Sequence, residues 1–548
     1  MNSRLIRRML PVFLLVCVGG MGQQAPNFRS QTNLVLLPVQ VRSHAQHVDG
    51  LKQEAFTLLQ DGKAQKIAIF EEVRTSTQRL RPMPVGPREF TNQLLGSPET
   101  ARYTVIAIDR MNTAPLDLMR VREGLIKFLA HTSDTGEPIR LISIENNGIR
   151  LIQDFTTDPT LIKAALNRGT SGSGAKSEQS STGLDEFTRE VEGAERPDLK
   201  WLLDALEKAK EFENARLAFQ EREARISSLD ALQQIALSLS GFPGRKSLVW
   251  ASSGYPFSSI VKQVNSGGIR YDYSHLGEAL DLDAYTTRLL GGSNIAMYPV
   301  DARGMTNIAW DSIDPSHKYS PTAAERAYRQ RNNTDTLTTF DHLASGTGGK
   351  PCYNRPDLAD CFKDALEDSR DYYMVGFYVD KGTKEGWHKL QVKVKGANTR
   401  SRNGFLFPLP EPEKTRELDI NTAAQSLLPE LGIPFKGEWT TTQKKGDKVS
   451  NGLDLQIAPV ANVVDLEQRK LNLEFLAIAR ARDGKVAGQF AQKIKKDLSP
   501  EAVGTIQQSG IGYKNTLDLP PGEYLVRIIV RDNNTGRTGA ANSLLKVE

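Results

Sequence analysis

The chain has 548 residues, 39% of them hydrophobic and 25% charged, which is the composition of folded globular material in several domains and excludes a disordered or fibrous chain. Its 70 basic and 65 acidic residues leave a net charge of +5, too balanced to supply the basic face that nucleic-acid binding requires.

At the N-terminus Arg4, Arg7 and Arg8 precede an apolar run from Leu10 to Val18, and small residues follow at Gly19, Gly20 and Gly22. This pattern reads as a secretory signal peptide over residues 1–22. The run is too short to cross a bilayer, and no later stretch reaches the roughly 20 apolar residues of a membrane helix. The expectation is an exported protein, periplasmic or extracellular, with no transmembrane segment after cleavage. Cys17 follows Val16 rather than the small residue of a lipoprotein signal. Beyond it stand only Cys352 and Cys361, whose short separation in an oxidising compartment favours a disulfide; a buried free pair is the alternative.

Residues 31–75 alternate as strands do, with Asp61-Gly62 as a tight turn, and read as a small N-terminal β-domain. A Pro/Arg/Gly-rich stretch from Arg79 to Gly96 reads as a linker. From Ala101 strands and helices alternate: YTVIAID (103–109), a helix opening at Pro115, IRLISIE and GIRLIQDF, and a helix capped by Asp158. A Gly/Ser-rich and then helical insertion, 169–226, follows. A second helix (SLDALQQIALSLSGF) leads to the strand RKSLVWASSG, a polar excursion near 255–277, the strand NIAMYPVDARG, two more helices and the strand DYYMVGFYVD. The expected fold is α/β, a doubly wound mostly parallel sheet over 100–380, with strands at 381–410 extending it and an Ig-like β-sandwich over 420–548.

In an open α/β sheet ligands meet the loops at the carboxyl ends of strands. The loop after the first such strand reads Asp109-Arg110-Met111-Asn112-Thr113. It resembles the metal-ion-dependent adhesion site of a von Willebrand factor A (VWFA) domain, in which an Asp-x-Ser-x-Ser loop, a distant Thr and a distant Asp hold a divalent cation. The phrases HVDGLKQEAF, LLQDGKAQKIAIFEE, FPGRKSLVWASSGYPF, NIAMYPVDARG, LASGTGGKPCYN, SRDYYMVGFY and LPPGEYLVRIIVRD are similar to the VWFA-related family of exported bacterial proteins. That resemblance covers most of 31–408 and implies a Rossmann-like domain acting in adhesion.

The motif carries over in part. Asp109 matches the first acid, Thr113 the second hydroxyl, and Thr170 the distant Thr, with the Asn112 amide nearby. Met111 replaces the first Ser, and a thioether is a poor ligand for Mg²⁺ or Ca²⁺. Where the resemblance calls for a second acid, this chain has Ser252-Ser253-Gly254. At most a weak Mg²⁺ or Ca²⁺ site is expected, and adhesion independent of metal. The alternative reading makes Asp109 an acceptor for the amides of its own loop and a cap of the following helix, and Asp301 a partner of Arg303 or the cap of a turn. Tyr255, Phe257, Tyr271 and Tyr273 are candidate partner contacts, or else pack their own loop.

Catalysis finds little support. The seven histidines, among them His131, His342 and His388, stand apart from any zinc spacing. Ser253 lacks a Gly-x-Ser-x-Gly elbow, and a nucleophilic role would need a carboxylate, His or Lys clustered with it. The expectation is a non-enzymatic binding protein whose partner is a protein or cell-surface polysaccharide. An envelope-associated scaffold is the alternative, and a hydrolase a further one.

Overall fold

A computed structural model describes residues 34–548 apart from 44–45, 75–80, 83–84, 96–101, 131–136, 147, 170–199, 241, 243, 255–260, 266–267, 273–284, 288, 306–322, 369, 381, 408–411 and 467. The segment 1–22 expected to be a signal peptide, residues 170–199 of the 169–226 insertion with Thr170 among them, Tyr255, Phe257 and Tyr273 lie outside the described residues.

Tyr103–Asp109 is apolar on both sides and buried at every position, as a strand with helices on each face must be. It lies at the centre of a five-stranded mixed sheet in the order Gly148–Thr156, Ile139–Glu145, Tyr103–Asp109, Lys246–Ser252, Ile295–Asp301. The last four are parallel and the first pairs antiparallel at the edge. Val105, Ala107 and Trp250 face the helix Lys200–Ser240 and Phe340. Ile106, Ile108 and Val249 face the helices Pro115–Ala130, Pro159–Gly169 and Leu358–Asp368. Each large apolar side chain so buried contributes roughly 1.5–3 kcal/mol before its entropy cost. Gly349 runs so close to the Ile295–Asp301 strand that a Cβ there would lie 1.8 Å from the Met297 carbonyl oxygen; no other residue fits.

The expected doubly wound, mostly parallel architecture is not that of the chain. Parallel strand pairing is confined to this one mixed sheet, and all other strand pairs among the described residues are antiparallel. Tyr372–Tyr378, read as continuing the alternation, instead pairs with Leu34–Ser43 and Ile69–Val73. Gly386–Val394, read as extending the α/β sheet, pairs with Phe56–Gln60. The strands between Leu34 and Val73 are therefore half of a β-unit that those between Tyr372 and Phe407 complete, around a core of Val35, Leu37, Val39, Leu58, Tyr373, Val375, Phe377 and Val392. An apolar strand fits the centre of either kind of sheet, and period alone does not choose its neighbour.

The stretch expected to be a linker also does structural work: Glu89–Thr91 adds an edge strand to the C-terminal unit by pairing with Phe435–Lys445. That unit is two antiparallel sheets sharing one core built around Phe435, Trp439, Leu455, Phe475, Val526 and Ile528. It includes the strands Val486–Asp497 and Ile511–Leu519 and the helix Pro500–Ser509, none of which the sequence reading anticipated. The helix Pro412–Gln425 packs against it through buried Asp419, which pairs with Arg531 at 2.8 Å.

The two helices expected around Ser227-Ser228 are one helix, Lys200–Ser240. Its C-terminal third is buried, whereas Trp201, Phe212 and Phe219 are exposed along its first half. Ser228 lies inside it, and its hydroxyl reaches across the core to Asp109.

Candidate functional site

Asp109 ends the central strand and is fully buried. Its Oδ1 accepts the backbone N–H groups of Met111 (3.0 Å) and Asn112 (3.2 Å). Its Oδ2 accepts from the Asn112 amide (2.9 Å), the Ser228 hydroxyl (3.2 Å) and the Ser252 hydroxyl (3.1 Å). Burial pushes the Asp109 carboxyl above the ordinary carboxylate range, against the opposing pull of Asn112, Ser252 and Ser228. The Asn112 amide also donates to Ser228 at 2.8 Å.

Met111, at the place of a ligand Ser in the resembled motif, packs against the apolar cluster beneath the long helix. Thr113 is buried, and its Oγ1 accepts the backbone N–H of Ser253 at 3.2 Å. The structure thus brings Asp109, Asn112, Thr113, Ser252 and Ser253 together. Tyr271 lies on the hairpin of Val261–Asn265 and Gly268–Asp272, within the polar excursion near 255–277.

Three residues that the sequence reading passed over complete the site. Ser228 comes from the long helix, and its only sequence signal is a small polar residue at a buried helical position. Asp117 and Arg120 come from the first turns of Pro115–Ala130. The Ser253 hydroxyl donates to Asp117 Oδ2 at 2.6 Å, and the other Asp117 oxygen accepts from Arg120. Arg120 also reaches the Arg303 carbonyl at 3.4 Å. Arg303 in turn grips buried Asp301 through both carboxylate oxygens, at 2.8 and 2.7 Å. Hydrogen bonds therefore tie the loops 109–113, 252–254 and 301–304 into one rigid rim.

Exposed apolar side chains stand on that rim. Leu116 and Met119 are 62% and 59% exposed at the start of the helix that Arg120 anchors, and Met305 is 60% exposed just beyond Gly304. A cleft of about 180 Å³ is lined by Val300, Tyr353, Asp364, both halves of the Cys352–Cys361 disulfide and Arg355, whose carbonyl lies close to Gly304.

No family model and no curated protein matches this chain. Among solved structures, a glycosyl hydrolase family 2 member from Bacteroides cellulosilyticus DSM 14838 is 10% identical, matching 35% of this chain at a TM-score of 0.16. This chain spans only 21% of that protein's length. A mutant of the PilB minor pilin from Streptococcus sanguinis is 9% identical over 62% of this chain and 86% of its own, at a TM-score of 0.24. Neither likeness is a basis for assigning fold or activity.

Proposed function

We propose that this chain is an exported binding protein that holds a protein or cell-surface polysaccharide partner at the rim of loops 109–113, 252–254 and 301–304, without a metal ion and without catalysis. The observation that carries the reading is the apolar trio Leu116, Met119 and Met305, exposed on a rim whose backbone is already fixed by Asp117, Arg120 and Arg303. Apolar anchors on a preorganised frame lose little entropy on binding. The five donors on Asp109 support metal independence. The likeness of the quoted phrases to VWFA-related exported proteins is in keeping with it.

The test is recovery of partners from envelope extract on immobilised protein, comparing wild type with Leu116→Asp/Met305→Asp, with and without EDTA. Selective loss in the double variant and indifference to EDTA are expected. Equal recovery in the two proteins, or loss on chelation, refutes the proposal.

A hydrolase reading has one observation in its favour: the carboxylate it requires is present, since Asp117 accepts the Ser253 hydroxyl. The engagement of Asp117 by Arg120 fits a structural hydrogen bond better than a general base. Covalent labelling of Ser253 by a fluorophosphonate probe would favour the hydrolase.

A further inference from the structure

We propose a second site, in the N-terminal β-unit, that binds a divalent transition-metal ion through His47, Asp49 and Glu72. The three side chains bring one ligand atom each to within 4.8 Å of one another. His47 Nε2 is shut off from solvent, makes no hydrogen bond, and lies 3.7 Å from Asp49 Oδ1. An imidazole nitrogen that is buried and unpaired carries a desolvation cost that a metal bond would remove.

One residue, Tyr373, arranges all three. Glu72 is its direct cross-strand partner. The His47 ring stacks on the Tyr373 ring with centroids 5.5 Å apart and planes 18° from parallel. The loop bearing Asp49 is hooked onto the same side chain, because the Tyr373 hydroxyl donates to the Val48 carbonyl (2.8 Å) and accepts from the Leu51 N–H (3.0 Å). Gly50, at φ +69°, makes the tight turn between them, and its N–H donates to Glu72 Oε2 at 3.3 Å. His47 and Glu72 are thus presented from a fixed frame, and exposed Asp49 completes the set.

The donor set indicates the ion. One neutral nitrogen and two carboxylates suit Zn²⁺ and its neighbours, whereas Mg²⁺ and Ca²⁺ take oxygen ligands throughout. Three protein ligands leave at least one coordination position for water or for a donor from outside the chain. Arg74 is the competitor: its guanidinium lies 3.0 Å from Glu72 Oε1 and 3.7 Å from Asp49 Oδ1, where the ion would sit. Metal binding therefore exchanges one exposed cation for another with directed bonds.

The experiment is calorimetric titration of chelator-stripped protein with Zn²⁺, Mg²⁺ and Ca²⁺, with Co²⁺ absorption as a report on ligand type. One Zn²⁺ per chain, a Co²⁺ d–d band and no heat from Mg²⁺ or Ca²⁺ are expected. His47→Phe keeps the ring stack but removes the ligand. It and Glu72→Gln should each weaken Zn²⁺ binding at least tenfold, while Arg74→Ala should tighten it. Asp49→Asn, on an exposed loop, tests the site without touching the core. Metal-free melting curves confirm that each variant folds. Absence of Zn²⁺ binding, or affinity unchanged in both His47→Phe and Asp49→Asn, overturns the proposal.

Discussion

His388 and Asp61, far apart in sequence, meet with Nδ1 and Oδ2 separated by 2.6 Å, while His388 Nε2 lies 2.8 Å from the Lys384 carbonyl. Both ring nitrogens face acceptors, so the imidazolium is the form that satisfies the site. Burial lowers the His388 pKa, but Asp61 and the Lys384 carbonyl outweigh it and the net value is raised. The His388 hydrogen bond heads the influences that hold Asp61 below its ordinary value. The His388 contribution is therefore complete below about pH 6.5 and lost as pH rises through the raised folded value. The Asp61 contribution is complete above about pH 4 and lost as pH falls through the lowered one. Thermal midpoints measured from pH 5 to 9 should decline above pH 6.5, and His388→Gln should flatten that decline. A variant that retains the wild-type slope rules the pair out as its source.

Replacing Asp109 with Ala leaves the Asn112 amide and the Ser228 and Ser252 hydroxyls without their shared buried acceptor. The expected loss is roughly 2–4 kcal/mol in urea unfolding. Added Mg²⁺ should leave the wild-type midpoint unmoved; a rise that disappears in Asp109→Ala would show that a cation enters this loop after all.

Arg527 and Glu430 form a buried pair at 3.2 Å, with Thr538 donating to the same carboxylate. Arg527 also donates to the Ala423 and Leu428 carbonyls. Arg527→Met alone strands a buried carboxylate and should cost about 3–5 kcal/mol. The double variant Arg527→Met/Glu430→Leu should be less damaging than the sum of the singles. Strict additivity in the double-mutant cycle would mean that the pair is not coupled.

The Cys352–Cys361 disulfide, with Cα atoms 5.7 Å apart, joins the helix Leu358–Asp368 to a segment bridged to Val300 beside the last parallel strand. Closing so short a loop is worth about 2–3 kcal/mol in the chain-entropy account. Cys352→Ala/Cys361→Ala should lower the melting midpoint, and reductant should reproduce that shift in wild type but not in the variant.

Legibility in the sequence follows the range of the forces involved. Tyr103–Asp109, Lys246–Ser252 and Ile295–Asp301 were readable because strands covered on both faces are written as apolar runs. Placing Asp109, Thr113 and Ser252 at one edge followed from the rule that ligand loops lie at strand carboxyl ends. The antiparallel partnership of Leu34 with Tyr378 was not readable, because periodicity identifies a strand and not its neighbour. Ser228, 119 residues from Asp109, was hidden for the same reason. His47 was one of several scattered histidines until the pairing of Tyr373 with Glu72 brought a carboxylate beside it.

The interleaving of Leu34–Ser43 with residues 372–407 also bears on how the β-unit closes. Local pairing with Gln46–His47 covers only the last two residues of that strand, and its other partners, Tyr372–Tyr378 and Asn398–Arg400, come from the far side of the mixed sheet in the sequence. Contacts of such sequence separation form slowly, because the long loop between them must be closed first. Until they form the strand is an exposed template for another chain, so this β-unit is the place where a second copy competes for the same edges.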